Sequence, residues 1–492
     1  MKQEIVANCM NDETRIAVIE DGKLVELGIE RQESEKVIGN IYKGKVENVL
    51  PGISSAFVNI GLEKNAYLYI TDVIDQSELN SKEHGKRSHH HGGGSQNKAI
   101  DQSLKRGDVF MVQVAKEAIG MKGVKITMDI SLPGRFLVYL PFQTTIGVSK
   151  NIEEESERHR LKRLLDSMRP KTGGFIVRTE AEEITEQEMR REVRYLSRLW
   201  ENIQKRFQNA ATPSLVHKDL GLVFQTVRDV LSEDTVSFII DNKTEHQEAQ
   251  EFVQMISPDL ADRVRVYEGK LPIFEEYNVE KELETLLRSR IGLPSGGTIV
   301  IQEAESLCAI DVNTGKFTGK ESQEETVTET NIEAANEIAR QIRLRNIGGI
   351  VVIDFIDMRR ARNRQKVVEA LHLATANDRA KIKILPITRL GLVEMTRERK
   401  RESMLAALCQ PCEECHGMGM VLSNESLFIQ VKKEMSNLLA QRNSGTVRLI
   451  LHPDVAPYFQ ERRSEMVNAI HRDYEQSTDA TFHYEDYKII VE

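Results

Sequence analysis

The 492-residue chain reads as a multidomain protein of mixed α/β and α+β class, and three observations carry that reading. The length exceeds what one hydrophobic core fills, which sets about two to four domains. Residues 36–130 hold short strand-like runs parted by Gly-rich turns, the pattern of a small closed barrel. Residues 291–405 alternate apolar runs with helical periods, the pattern of an α/β layer.

Charged residues make up 29% of the chain and hydrophobic residues 40%, ordinary for a soluble globular protein. No apolar run approaches the roughly 18–20 residues of a membrane span. The stretch Met1–Cys9 lacks the charged-then-apolar layout of a signal peptide, so the expected compartment is the cytoplasm. The net charge of −9 argues against a general polyanion binder, but local patches decide phosphate contacts. Two are basic: Arg158–Arg163, and Arg379–Arg401 with Lys381, Lys383, Arg389, Arg397, Arg399 and Lys400. Each also reads as a solvated helix face. Five cysteines make no disulfide framework, and the grouping of Cys409, Cys412 and Cys415 points to metal.

Taken in order, residues 1–35 alternate as strands around Asp21-Gly22, a hairpin turn. In 36–130, five short strands suit an OB-type barrel. Phe57 and Tyr67 fit its core by spacing; the alternative is an outer face of aromatic platforms for bases, with Lys116 and Lys122 nearby for phosphates. The polar 81–97 stretch, with His89–His91, reads as a flexible loop at the barrel rim. In 131–212, Leu132–Leu140 reads as one strand, followed by a helix over 153–168. Thr172–Thr179 is a strand ending in Arg178-Thr179, a pair able to grip a terminal phosphate, and 186–208 is a long charged helix. In 213–290 strand and helix alternate, and Asp241-Asn242 is a turn after a buried strand.

The 291–405 layer holds two apolar runs that each stop at a carboxylate, Asp311 and Asp354, joined by a helix over 324–345. A strand-helix-strand unit can bring both acids to one sheet edge, where they make a site for a hard divalent cation such as Mg²⁺. Asn313 shares the face of Asp311. Strand-end turns are the plain alternative for each acid alone. A helix over 360–376 and a strand over Ile382–Ile387 complete the layer. In 406–420, Cys412-Glu-Glu-Cys415 with Cys409 and His416 admits a four-ligand zinc site in one chain or a pair shared between chains. The redox alternative needs a thioredoxin-like βαβ context, which the pattern here does not display. Residues 421–492 form a small α/β tail.

Five segments together resemble the bacterial ribonuclease E/G family: Gly39-Asn-Ile-Tyr-Lys-Gly-Lys45, Ala309–Asn313, Ile338–Arg345, Val352–Met358 and Cys412–Gly419. The resemblance spans nearly the whole chain, whose length is closer to that expected of the members without a long scaffold tail. It implies an RNase H-like domain (1–35 plus 213–290) interrupted by an OB-fold RNA-binding domain (36–130) and a 5′-sensor domain (131–212). A deoxyribonuclease-I-like catalytic domain (291–405), a zinc-link (406–420) and a small C-terminal domain (421–492) follow. It further implies a Mg²⁺-dependent endoribonuclease that cuts A/U-rich single-stranded RNA, responds to a 5′-monophosphate and serves rRNA maturation and mRNA decay. The implied metal acids are Asp311 and Asp354, assisted by Asn313. The implied RNA contacts are Phe57, Tyr67 and Lys122. The implied 5′-phosphate sensor is Gly134, Val138, Arg178, Thr179 and, where the family has arginine, Lys381, which lacks the bidentate fork. Cys412 and Cys415 are implied to share Zn²⁺ between protomers in a homodimer, sometimes paired into a tetramer. Two other readings stand beside this one: a non-catalytic RNA-binding scaffold, and an assembly protein organised by zinc.

Overall fold

The computed structural model describes residues 2–31, 37–73, 104–116, 123–170, 172–315, 323–399, 401–441 and 445–492. The expectations for Lys122 and for the 81–97 stretch lie outside them. The chain divides into two compact units, Met1–Arg401 and Glu402–Glu492.

Among the described residues the first unit is built on four sheets. At its N-terminus Glu13–Glu20 and Lys23–Arg31 form the expected hairpin, with Asp21 and Gly22 both at positive φ. Gln3–Cys9 joins them, and Thr235–Ile240 and Val264–Val266 add on in parallel. Asp241 does sit in a turn: it accepts from the Cys9 amide (2.7 Å) and from Asn8 Nδ2 (2.7 Å), while Asn242 caps the next helix.

Five strands close into a barrel: Ile41–Leu50, Ser55–Asn59, Ala66–Tyr69, Lys125–Thr127 and Val109–Lys116, the last pairing back onto the first. Gly44 is required inside, because a Cβ there would lie 2.7 Å from Val58. Ser214–His217, grouped by sequence with the N-terminal module, pairs instead with Ile41–Lys43 at the edge of this sheet.

The third sheet corrects one expected element. Leu132–Leu140 is two strands, Leu132–Pro133 and Leu137–Leu140, turned back on each other. The cause lies far along the chain: the carboxylate of Glu192 takes the amide hydrogens of Arg135 and Phe136 and holds the turn. Glu192 rides on the helix Glu186–Asn209, which opens with a capping box between Thr185 and Glu188.

The fourth sheet runs in the order Arg290–Gly292, Thr298–Glu303, Leu307–Asn313, Gly349–Asp354, Leu392–Arg397, Ile382–Ile384. The expected strand to Ile387 stops at Ile384, two residues before Pro386, which has no amide hydrogen for the ladder. One face of this sheet packs on the helices Gln323–Leu344 and Ala361–Thr375 through Ile310, Val312, Ile338, Ile342, Val351 and Ile353. The long helix also docks on the N-terminal sheet. Arg343 donates to both Glu20 oxygens (2.7 and 3.0 Å) and to Glu26 (2.6 Å), and Arg340 donates to the Leu24 carbonyl (3.0 Å). Arg345 turns the other way, to the Arg288 carbonyl (2.7 Å). The arginines of the 338–345 segment are therefore structural.

In the second unit Glu475–Thr478, Val447–Leu451 and Tyr487–Val491 make a three-stranded sheet, packed on the helix Asn424–Gln441 through Phe428, Val431 and Met435.

Candidate active site

Asp311 and Asp354 are opposite residues on neighbouring parallel strands. Strands at roughly 4.8 Å spacing put such side chains on one face and within reach of a single cation. Alternation decides which face: Cys308, Ile310 and Val312 are buried against the helix, so Ala309, Asp311 and Asn313 are turned out to solvent, as is Asp354. Asn313 Nδ2 donates to Asp311 Oδ2 at 2.6 Å, orienting that carboxylate. Two carboxylates and an amide on an exposed face, with room for waters, suit Mg²⁺, which takes one or two protein carboxylates and keeps much of its hydration. Among the described residues no group of three or more His, Cys, Asp or Glu converges in metal-holding geometry, so the pair itself is the acidic content of the site.

The chain that leaves Asp354 is held by a residue that sequence reading passed over. Asn331, fully buried on the long helix, donates to the Ile356 carbonyl (2.8 Å) and accepts from the Ile356 amide (3.1 Å). On the same helix, Glu324 accepts from the amides of Arg359 (3.2 Å) and Arg360 (2.9 Å). The available signal was a lone Asn amid buried helix positions, a residue type that buries only when both ends of its amide are used.

On the barrel, Phe57 faces Tyr67, Tyr67 faces Lys125, and Lys125 faces Lys116 across successive strands. Their neighbours Ala56, Val58, Ala66, Leu68 and Ile126 form the barrel core, so this row points outward. The core placement favoured by spacing is thereby corrected: Phe57 and Tyr67 are half-exposed surface aromatics. Lys125, also missed, is ion-paired to Asp72 at 2.8 Å, while Lys116 is exposed.

Of the expected sensor residues, Gly134 and Arg178 touch: Arg178 Nη1 donates to the Gly134 carbonyl (2.6 Å) and to Asp229 Oδ1 (2.8 Å), with Glu180 3.4 Å from its Nε. Val138 lies on the adjoining strand opposite Ile176, and the Thr179 hydroxyl meets Ser149 at 2.9 Å. Lys381 is exposed just ahead of the strand Ile382–Ile384, and among the described residues its side chain makes no ion pair. The basic segments prove largely structural. Arg397 is locked by Asp378 (2.7 Å), Arg399 donates to Gly348 O (3.1 Å), and Arg160 pairs with Glu157 (2.6 Å).

In the second unit Cys412 and Cys415 lie in the turns before the helix Asn424–Gln441. The Gly419 amide donates to Cys415 Sγ (3.2 Å), and this pulls the Cys415 thiol below its ordinary range, with further donors at Gly417 and Cys412. Gly417 and Gly419 both sit at positive φ, which the tight wrap around the sulfur requires. Cys409 ends the helix Met404–Leu408, and the His416 ring lies 6.4 Å from that of His483. Among the described residues no three of Cys409, Cys412, Cys415 and His416 converge in metal-holding geometry.

The class follows from these features: a multidomain α/β protein with a closed barrel, an outward aromatic row and a carboxylate pair suited to a hard cation. The sequence model described as "Ribonuclease E/G family" matches residues 131–400, and that described as "RNase E/G, Thioredoxin-like domain" matches residues 411–488. The chain is 38% identical over 493 residues to ribonuclease G of Haemophilus influenzae, covering 99% of each. It is 37% identical over 456 residues to ribonuclease G of Escherichia coli K12, covering 93% of this chain and 92% of the relative. It is 34% identical over 474 residues to ribonuclease E of the same organism, covering 96% of this chain and 44% of that longer protein. The chain belongs to the ribonuclease E/G family. The match over 411–488 also corrects one expectation: a thioredoxin-like context is present, although the cysteine pair lies in turns ahead of the domain's first helix rather than opening it.

Two outcomes follow. Asn331→Ala leaves both polar groups of Ile356 unpaired; the expected cost is about 3 kcal/mol in chemical denaturation, and an unchanged stability would refute the clamp. Burial drives the Glu192 carboxyl from 4.5 up to about 7, against the pull of the Phe136 and Arg135 amides and of Arg178. The folded state then binds this proton more tightly than the unfolded chain, so the group's contribution to stability falls as pH rises from about 4.5 to about 7. Glu192→Gln is expected to flatten that part of the melting-temperature profile; an identical slope in both proteins would contradict it.

Proposed function

We propose that this chain cuts single-stranded, A/U-rich RNA in a Mg²⁺-dependent reaction stimulated by a 5′-monophosphate, in the service of rRNA maturation and mRNA decay. Its family membership and its high-coverage likeness to proteins named ribonuclease G and ribonuclease E make it an endoribonuclease. The register of Asp311 with Asp354 is the observation that carries the reading further. Mg²⁺ bound there would polarise the scissile phosphate and lower the pKa of an attacking water. The chain's own residues do the rest. Asp311 and Asp354 hold the cation from one sheet face, and Asn313 keeps Asp311 turned to it. Phe57 and Tyr67 stack bases, and Lys116, at the end of the same row, offers charge. Gly134, Val138, Arg178 and Thr179, with Lys381, take the 5′ end. The scaffold reading loses ground because the acid pair is assembled on an open face rather than buried.

The layout supports the finer domain assignment. Three antiparallel strands extended by two parallel ones suit an RNase H-like domain. The sheet bearing the acid pair suits a deoxyribonuclease-I-like one. No helix among the described residues is long and apolar enough to cross a membrane, which fits the cytoplasmic assignment.

On a 5′-monophosphorylated, fluorescent A/U-rich oligonucleotide, wild type with Mg²⁺ is expected to cleave. Chelation of Mg²⁺ or Asp354→Asn is expected to slow cleavage by at least about 100-fold. Persistent cleavage by Asp354→Asn would sink the mechanism, and no cleavage by wild type would favour the scaffold. For zinc, two gathered cysteines are half of a tetrahedral site, so we place the other half on a second protomer. Cys412→Ser with Cys415→Ser is expected to halve the mass seen by light scattering; an unchanged mass would rule out a zinc-linked dimer.

A further inference from the structure

Just beyond Asp354 the surface opens into a cleft of about 420 Å³. One wall is the chain that leaves the acid, Phe355–Met358, and the other is the turn Thr388–Gly391. Leu392 is the register partner of Asp354, so each wall begins one residue from the level of the acid pair. The floor includes Arg364 on the helix Ala361–Thr375.

Both walls are fixed. Asn331 clamps Ile356 on one side. On the other, the Thr388 amide donates to Leu392 O (2.8 Å), the Gly391 amide to Thr388 O (3.1 Å), and the Leu392 amide to Thr388 Oγ1 (3.2 Å). Gly391 is at φ +88°, and a Cβ there would approach Asp357 Oδ1 to 3.5 Å, so the walls come close at that point.

The charge in the cleft has no internal explanation. Arg364 spends Nη1 on the carbonyls of Met358 (2.7 Å) and Arg359 (3.1 Å), which places its guanidinium without neutralising it. Arg389 is exposed and makes no hydrogen bond or ion pair among the described residues, unlike Arg397, Arg399 and Arg401 of the same segment. Two guanidiniums stand against one carboxylate, Asp357, in the lining. Leu390, 83% exposed, adds an apolar ledge at the rim. The volume lies in the range of small-ligand sites.

We propose that this cleft is a nucleotide subsite of the RNA path, in which Arg389, backed by Arg364, holds the phosphate next to the scissile one. The proposal rests on the nuclease reading for the identity of the strand that enters. Guanidinium groups suit it because they bind phosphate oxygens through paired N–H donors. A rigid grip one nucleotide from the reacting phosphate fixes the strand over the acid pair, while sequence preference stays with the stacking row.

The test is RNA binding by fluorescence anisotropy in full-length Asp354→Asn protein, with and without Arg389→Ala, at several salt concentrations. Arg389→Ala is expected to weaken binding roughly 3- to 10-fold and to reduce the slope of log affinity against log salt by about 0.7, the value for one phosphate of a single strand. An oligonucleotide with an uncharged methylphosphonate at the adjoining linkage is expected to bind both proteins alike. Equal affinity and slope for the two proteins on ordinary RNA would overturn the subsite. So would an Arg389→Ala loss that persists in full on the methylphosphonate substrate, since that reports general surface charge. Cleavage by wild type is scored separately: a chain that binds RNA through Arg389 yet cuts nothing would refute the nuclease reading and leave the subsite standing.

Discussion

The parallel pairing of Leu307–Asn313 with Gly349–Asp354 is the constraint on which the site depends. A strand alternates its side chains between two faces, so a slip of one residue would bury one acid and leave the other alone. The register is held from several directions. Ile310, Val312, Val351 and Ile353 are committed to the core beneath, and the crossover helix Gln323–Leu344 closes over them. That helix reaches past the sheet to fix the exit of the second strand through Asn331 and Glu324. Its other side is fastened to the N-terminal sheet by Arg343, 9% exposed, between Glu20 and Glu26. A buried guanidinium with three such contacts tolerates little displacement, because separating the charges strands them away from water.

Charge is distributed unevenly along the first unit, and that division separates scaffold from surface. Arginines whose guanidiniums meet carboxylates or carbonyls hold elements together: Arg343 with Glu20, Arg340 with Glu337, Arg397 with Asp378. Cations that lack such partners among the described residues lie on open faces, with Lys116 on the barrel and Arg389 beside the acid pair. The net charge of −9 does not reveal which basic residues are paired and which are open.

Much of this was legible in the residues themselves. Apolar runs that stop at Asp311 and Asp354, the Asp21-Gly22 turn and the helix periods follow from local rules, and the structure has them. What was hidden depended on distant partners. The break at Gly134–Phe136 comes from Glu192, on a helix far along the chain. The facing of Phe57 and Tyr67 could not be read from alternation, because a barrel strand alternates identically whichever side is inward; the closure of the sheet decides it. The roles of the 338–345 arginines are set by Glu20, Glu26 and Arg288, which the fold brings to them from elsewhere in the chain. The thioredoxin-like character of the tail was masked because its strands are only four or five residues long and its cysteine pair falls outside the strand-helix junction.

The most direct measurement is Mn²⁺ binding, followed by electron paramagnetic resonance with Mg²⁺ as competitor, in wild type, Asp311→Asn, Asp354→Asn and the double variant. One shared site predicts that each single change loses most of the affinity and that the double change loses little more, a strongly non-additive cycle. Two independent, additive losses, or wild-type affinity in either single variant, would contradict a cation held jointly by these two acids.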